Sequence, residues 1–435
     1  MAEPRSSWRI EPVGPLSGDV TVKGSKNAVT KHMVAAMLGN TPSTVRNCPD
    51  IGEIDVTARM LRELGAFVDT ERDIVRVDAS KIDRADLPTH FAGINRIPIL
   101  MVGPLLHRMG EAFVPFVGGD AIGARPLDFH TACLKAMGAE ITTTDEGLEA
   151  KATTLHGARL RLPFPSVGAT ETVLLTAVLA EGRTVLENAA TEPEVIELAL
   201  FLQRMGARIE LRPDRRFIIE GVVGLVGADH ALAGDRIEAF SYLTAGLVTG
   251  GRVRVFGCPQ GRLVTAISAL HRMGARFEIT DDYLVAEAAK GLGPSVVMTD
   301  THPGFMTDWQ PPLVVLFTQC DGMSVVHETV YENRFTYVEA LKAMGAEIEL
   351  FDACLGGRDC RFVEANYRHS AVVHGKTQLH GAEITVPDIR AGFAYVIGAA
   401  VASGPTVLHD VRHIERGCHR AYDSFTDLGL KIERL

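Results

Sequence analysis

No run of apolar residues in this chain approaches the roughly 20 needed to cross a bilayer as a helix. The longest, Ile97 to Leu106 and Pro311 to Phe317, stop well short, so no membrane span is expected. The segment Met1 to Val13 carries charges and prolines without an apolar centre, so it reads as no secretory leader, and the cytoplasm is the expected compartment. A disulfide framework is missing too: Cys48, Cys133, Cys258, Cys320, Cys354, Cys360 and Cys418 are odd in number and scattered, as reduced thiols are. Cys354 and Cys360 lack companion ligands at metal-site spacing, so they read as loop or core thiols and no metal is expected. Positive charge is in deficit. A net charge of -10 excludes bulk affinity for nucleic acid or an acidic membrane, so any anion site must be concentrated in one place. The 42 glycines and 21 prolines are dispersed, which removes the collagen-like and disordered classes and leaves an ordinary globular protein. At roughly 100–200 residues per domain, the chain length predicts two or three domains.

What the sequence does hold is a repeat. A helix end followed by a strand recurs as Leu64-Gly65-Ala66, Met137-Gly138-Ala139, Met205-Gly206-Ala207, Met273-Gly274-Ala275, Met344-Gly345-Ala346 and Leu428-Gly429-Leu430. The intervals from Gly65 through Gly138, Gly206, Gly274 and Gly345 to Gly429 are 73, 68, 68, 71 and 84 residues, so the last carries one large insertion. An amphipathic helix precedes each glycine and alternation follows it, which makes the glycine a left-handed helix cap. Each unit also holds a helix apolar on nearly every face: Ser25 to Gly39, Asn95 to Gly110, Ser166 to Gly182, Arg236 to Gly250, Thr307 to Gly322 and Asp388 to Gly404. Such helices belong in a core. Six units then predict an α/β protein with two similar lobes of three units, helices inside and sheets with amphipathic helices around them.

The polar residues of these buried helices gather at their starts: Lys26 and Asn27, Arg96, Ser166 to Gly168, Arg236, Thr307 and Asp308, and Asp388 with Arg390. Helix starts expose unpaired N–H groups and a positive dipole end, so several facing one cleft make an anion site even on an acidic protein. Taken singly, each residue reads equally well without a ligand, Asp308, Ser166 and Asp388 as N-caps and the basic residues as snorkelling cations; for the whole set the anion site is the better reading. The segment Val117 to Pro126 sets three glycines around Asp120 and Arg125, as a closing loop requires. It has neither the lysine and hydroxyl of a P-loop nor dinucleotide glycine spacing, which disfavours nucleoside triphosphate and nicotinamide chemistry. Arg334, in Glu332-Asn-Arg-Phe335, falls between a strand, Ser324 to His327, and a helix starting near Thr336; the alternative reading is a surface turn.

These residues resemble the UDP-N-acetylglucosamine 1-carboxyvinyltransferase family of enolpyruvyl transferases over essentially the whole chain. The likeness is carried by Gly24-Ser-Lys-Asn-Ala28, Gly118 to Pro126, Ser166 to Thr170, Glu192-Pro-Glu194, Asp235 to Glu238, Thr307-Asp308, Glu332 to Phe335, Asp388-Ile-Arg390 and His413 to Gly417. It implies a two-lobed inside-out α/β barrel, with residues 1–24 and 234–435 in one lobe and 25–233, carrying a mobile loop 113–126, in the other. The implied reaction moves the enolpyruvyl group of phosphoenolpyruvate to the 3'-hydroxyl of UDP-N-acetylglucosamine, by addition and elimination, without metal or organic cofactor. By resemblance, Lys26, Arg96, Arg125 and Arg416 attend the donor phosphate, Arg334 and Arg390 its carboxylate side, and Asp308 is the general base. Lys26 and Arg416 count with Asp120 and Asp308 as catalytic. The same resemblance implies that Asn27, Pro126, Leu127, Asp128, His130, Ser166, Val167, Gly168, Thr307, Asp308 and Val330 hold the nucleotide sugar.

Three positions depart from the family pattern. Asp120 stands where most relatives have a cysteine that is linked to protonation of the donor and is alkylated by the epoxide fosfomycin; a carboxyl can move the proton but is a poor nucleophile, so a competent, fosfomycin-insensitive enzyme is expected. Phe164 stands where many relatives have a lysine for the nucleotide diphosphate, and Cys418 where tyrosine is frequent. Phe164 keeps a second acceptor open, such as UMP in specialised metabolism. A non-catalytic paralogue that binds nucleotide sugar is the reading from another class; the retained Lys26, Arg125, Asp308, Arg334 and Arg416 speak against it. Nucleic-acid and membrane partners are not expected, and the oligomeric state is open.

Overall fold

The computed structural model describes residues 6–119, 122–288 and 291–435. The chain divides into two units: unit 1 is the chain up to Lys23, the short piece 122–124 and Ala233–Leu435, and unit 2 is Gly24–Gly119 with Arg125–Leu232. Each has its own hydrophobic core.

All six predicted glycine caps form. Gly65, Gly138, Gly206, Gly274, Gly345 and Gly429 have φ between 93° and 109°. In each the glycine N–H returns to the carbonyl three residues back and the next N–H to the carbonyl five back, as in Gly65 N to Arg62 O and Ala66 N to Leu61 O, both 3.0 Å. This pair satisfies the last helical carbonyls and aims the chain into a strand.

The strands that follow build six sheets of one pattern. In unit 1, Val296–Met298 lies parallel to Gly322–His327, which pairs antiparallel with Ser370–Gly375 and that in turn with Glu347–Phe351. The same order recurs in four other sheets. The remaining one, Glu111–Pro115, Gly147–Lys151 and Glu140–Thr143, has three strands, with a parallel bridge from Asp86 to Phe113 in place of the fourth. In the sheet formed by both chain ends, Ser7–Glu11 sits between Thr406–His409 and Lys431–Arg434. Two edge strands are exchanged: Ser17–Thr21 pairs with Arg252–Phe256 in unit 1, although it leads into a helix of unit 2, and Asp229–Ala231 pairs with Ser43–Arg46 in unit 2, although it leads into a helix of unit 1.

The apolar helices are the interior. Unit 1 is centred on Arg236–Thr249, Gln310–Thr318 and Ile389–Ala400, which pack on one another pairwise. In unit 2, Ile97–Met109 packs on both Lys26–Ala35 and Val167–Ala177. Leu313, Val314, Val315, Leu316 and Phe317 are all buried, each large apolar side chain worth about 1.5–3 kcal/mol by transfer. At Gly103 a Cβ would fall 2.2 Å from Thr176 Oγ1, so only glycine allows that helix pair to approach so closely.

Helix bounds differ from the sequence reading where proline or a cap decides them. The helix expected from Thr307 begins at Gln310, because Pro311 and Pro312 fit a first turn, and a 3₁₀ turn, Thr307–Trp309, leads into it. The segment 113–126 is not loop throughout, since Phe113 to Pro115 belong to the strand Glu111–Pro115.

Candidate active site

In unit 1 the 3₁₀ turn holds Asp308 out of the capping position and against two guanidinium groups. Its Oδ1 is 3.3 Å from an Nη of Arg334 and its Oδ2 is 3.4 Å from Nε of Arg390. The Asp308 side chain is 18% exposed while those of Arg334 and Arg390 are 2% and 8%, so the carboxylate is the solvent-reachable member of a buried triad. Arg334 is therefore no surface turn. Burial pushes its guanidinium down, yet Asp308, Asp388 and Glu328 outweigh this and it ends above its ordinary value. Its Nε has no hydrogen-bond partner among the described residues. Arg390 is fixed from behind: Asp388 caps the helix Ile389–Ala400, accepting from the backbone N–H of Arg390 at 2.8 Å and of Ala391 at 3.0 Å.

A residue that sequence reasoning passed over holds this wall together. Glu328, fully buried, accepts from Thr307 Oγ1 and Gln310 Nε2, both at 2.8 Å, on one oxygen, and from the N–H groups of Val330 and Tyr331, at 2.7 and 2.9 Å, on the other. Burial raises its pKa despite those four donors. Thr307 and Val330, both predicted to meet the nucleotide sugar, thus share one carboxylate. Its signal in the sequence was an acid closing the strand Gly322–His327, which spacing alone does not separate from a loop acid.

Glu332 has a second task in the same unit. Its Oε1 accepts from Ala124 N at 2.7 Å, Asn333 N donates to Ile122 O at 3.2 Å, and a Cβ on Gly123 would lie 2.6 Å from Glu332 Oε2. Gly123 has φ 156°, which side-chain-bearing residues rarely adopt, and it has no Cβ to displace that carboxylate. Asp120 lies outside the described residues. Arg416 is half-buried and ends the short helix Arg412–Glu415, its N–H donating to Arg412 O at 2.8 Å.

In unit 2, Ser25 caps the helix Lys26–Ala35, accepting from Asn27 N at 3.2 Å, and leaves Lys26 and Asn27 half-buried at its first turn. Arg96 is the residue before the helix Ile97–Met109. A Cβ on Gly119 would lie 3.2 Å from an Nη of Arg125 and 3.4 Å from Cγ of Arg96, so both arginine side chains lie close against that glycine. Arg125 itself sits in the left-handed region, φ 44°. Leu127 precedes the helix Asp128–Ala136, Pro126 and Asp128 are exposed, and His130 is buried.

The predicted uridine and diphosphate segments meet at His130. Its Nδ1 pairs with Thr172 Oγ1 at 2.7 Å, and a Cβ on Gly168 would be 3.0 Å from the ring. Burial, with the charge of Arg96, lowers its pKa to about 3, so the ring is neutral. Ser166 caps the helix Val167–Ala177 by accepting from Ala169 N at 3.3 Å. Deeper in that helix Glu171 is fully buried; desolvation, countered by Lys31 and reinforced by Glu194 and Glu192, raises its pKa to about 7. Its sequence signal was the presence of one acid in an otherwise uncharged helix.

The family described as EPSP synthase (3-phosphoshikimate 1-carboxyvinyltransferase) matches residues 10–427. The UDP-N-acetylglucosamine 1-carboxyvinyltransferase of Chlamydia pneumoniae is 43% identical over 97% of this chain and 93% of its own length. That of Protochlamydia amoebophila is 42% identical over 96% and 92%. In fold, the chain matches the crystal structure of the enolpyruvyl transferase NikO from Streptomyces tendae with a TM-score of 0.87 over 99% of both chains, at 24% identity. Sixfold repeat, buried helix starts carrying arginine and acid, and near-full-length relatives agree, and the chain belongs to the family of the UDP-N-acetylglucosamine 1-carboxyvinyltransferases, enzymes within the EPSP synthase family.

Proposed function

We propose that this enzyme transfers the enolpyruvyl group of phosphoenolpyruvate to the 3'-hydroxyl of UDP-N-acetylglucosamine, releasing phosphate, as a cytoplasmic step that commits the nucleotide sugar to peptidoglycan precursors. The observation that carries the reading is Asp308, a reachable carboxylate held between the buried guanidiniums of Arg334 and Arg390. No helix among the described residues is long and apolar enough to cross a membrane.

In this reading the donor carboxylate takes up the N–H groups of Arg334 and Arg390, which frees Asp308 to accept the proton of the acceptor hydroxyl. The hydroxyl oxygen bonds to C2 of the donor, and Asp120 delivers a proton to C3. In the tetrahedral intermediate the C–O bond to phosphate then breaks while a C3 proton returns to the protein. Lys26, Arg125 and Arg416, with Arg96, meet the charge that moves onto the leaving phosphate, and being placed beforehand they stabilise it without reorganising. Asn27 meets the sugar amide, Pro126 to His130 the uridine, Ser166 to Gly168 the diphosphate, and Thr307 and Val330 line the acceptor.

The test is phosphate release and product mass with phosphoenolpyruvate and, in parallel, UDP-N-acetylglucosamine, UMP or shikimate 3-phosphate. Turnover with UDP-N-acetylglucosamine is expected; turnover with UMP alone moves the enzyme to another acceptor, the reading that Phe164 favours, and silence with all three sinks both. Fosfomycin is expected to leave the native enzyme active on prolonged incubation, and Asp120→Cys to make it sensitive. Covalent inactivation of the native enzyme overturns the assignment at Asp120.

A further inference from the structure

The long fifth interval of the repeat has a definite place. In four other sheets the hairpin after the cap glycine turns in two or three residues, as between Glu71 and Ile74 or Arg212 and Arg216. Between Glu347–Phe351 and Ser370–Gly375 the connection is residues 352–369, eighteen long and without helix or strand. A structureless loop of that length in a compact unit needs something to hold it. Phe362 is its one large apolar side chain that is buried.

Four side chains supply a better anchor. His327, at the end of the strand Gly322–His327, Cys354 and Cys360 from the loop, and His369 at its close place one potential ligand atom each within 4.8 Å of one another. Cys354 Sγ is 3.6 Å from Cys360 Sγ and 3.4 Å from His369 Nε2. Tetrahedral zinc with Zn–S of about 2.3 Å and Zn–N of about 2.05 Å requires S···S near 3.8 Å and S···N near 3.6 Å, so the cluster already has almost the spacing of a zinc shell.

The surroundings fit ligands rather than ordinary core groups. His369 Nδ1 is 2.7 Å from Tyr367 O; a carbonyl only accepts, so Nδ1 carries the hydrogen and Nε2 turns its lone pair toward Cys354. Phe362 N–H donates to Cys360 Sγ at 3.4 Å. His327 is fully buried, yet neither ring nitrogen has a hydrogen-bond partner among the described residues. Such a pair of orphans is costly unless a ligand or ion engages one of them. Gly356 lets the loop backbone close over that ring, since a Cβ there would be 2.5 Å from His327 Nδ1.

We propose that His327, Cys354, Cys360 and His369 form a structural zinc site that fastens the 352–369 connection to the sheet. Two thiolates and two neutral imidazoles in a tetrahedron are the donor set that selects zinc among common divalent ions. Binding displaces the two thiol protons to solvent and forms two Zn–S and two Zn–N bonds; no oxidant is involved. With four protein ligands the shell is closed, so the metal takes no part in the transfer reaction. His327 directly precedes Glu328, so the site also stiffens the strand end from which Glu328 holds Thr307 and Val330. Sequence spacing missed it because its two histidines come from a strand end and a hairpin close, 27 residues before Cys354 and 9 after Cys360.

The test uses untagged full-length protein, purified reduced and without chelator. Mass spectrometry of bound metal is expected to give close to one zinc per chain, falling at least tenfold in Cys354→Ser and Cys360→Ser but not in Cys48→Ala. Exchange of the native protein into cobalt(II) is expected to give the intense visible bands and thiolate charge transfer of a tetrahedral S2N2 site, which needs no variant to fold. A zinc chelator is expected to speed proteolytic cleavage within 355–368 at least tenfold. Less than about a tenth of an equivalent of zinc together with no tetrahedral cobalt spectrum overturns the proposal. So does a Cys354–Cys360 disulfide that, once reduced, takes up neither metal.

Discussion

Asp308 shows why a residue's type and position in sequence leave its role open. As the acid at the start of an apolar helix it reads as a cap, but the turn before Gln310 faces both its oxygens to arginine. Replacing it with asparagine keeps the shape and removes the proton acceptor; Asp308→Asn is expected to lower kcat by about 10²–10⁴ while the unfolding transition stays cooperative. Unchanged turnover in a steady-state assay removes Asp308 from the reaction. Glu328 differs in kind, since it touches the wall rather than the reacting atoms. An amide there offers one oxygen where four donors now find two, so Glu328→Gln leaves donors buried without acceptors and is expected to cost about 2–4 kcal/mol in a urea titration. A smaller loss in stability with a large loss in kcat reverses that assignment.

Among the elements, the cap glycines set the rhythm of the repeat, and their surroundings rank their tolerance. Gly429 has φ 99° and no atom within 4 Å of a built Cβ, whereas at Gly65, φ 98°, Lys81 O and Asp83 Oδ1 both lie at 2.7 Å. Gly429→Ala therefore meets the strain of the left-handed backbone alone, about 1–2 kcal/mol. Gly65→Ala is expected to cost more, because a backbone carbonyl must move as well. Equal thermal shifts in the two variants would show that the crowding at Gly65 carries no cost. The inner helices tolerate little change of size for a different reason: they touch other helices rather than water, and Gly103 against Thr176 is the closest case.

On the scale of the molecule, two acids buried in inner helices give stability a definite pH dependence. Desolvation, with Asp235 beside it, lifts Glu238 to about 8, and Glu171 reaches about 7. Both folded values lie above the ordinary carboxyl value, so the folded state favours the protonated acid. Its advantage is complete below the unfolded pKa near 4.5 and fades as pH rises through 7 and 8. Glu238→Gln keeps an oxygen for His419 N, which donates at 3.0 Å, but cannot ionise. The variant is expected to match the wild type at pH 5 and to exceed it by a few kcal/mol at pH 9 in denaturant titrations; a difference that does not vary with pH rules out the ionisation of Glu238 as its cause.

The repeat, the cap glycines and the all-apolar helices were legible in the sequence, because helix periodicity, left-handed caps and burial act within a few residues and leave their mark on residue type. The same locality marked Ser166, Asp308 and Asp388 as candidate caps, and the structure makes caps of Ser166 and Asp388 but not of Asp308. Short motifs of two to nine residues carried the family, since the chemistry of a trianionic donor restricts which residues stand at those starts. Other features needed the chain in three dimensions. The exchange of Ser17–Thr21 and Asp229–Ala231 between sheets joins strands more than two hundred and more than one hundred and eighty residues from their partners. Glu328 gathers donors from two sides of a turn, and His327, Cys354, Cys360 and His369 meet only because a strand end and a long hairpin connection fold together. Local propensity fixed the units; which side chains face one another was decided by pairing and burial between segments far apart along the chain, and that no window of sequence contains.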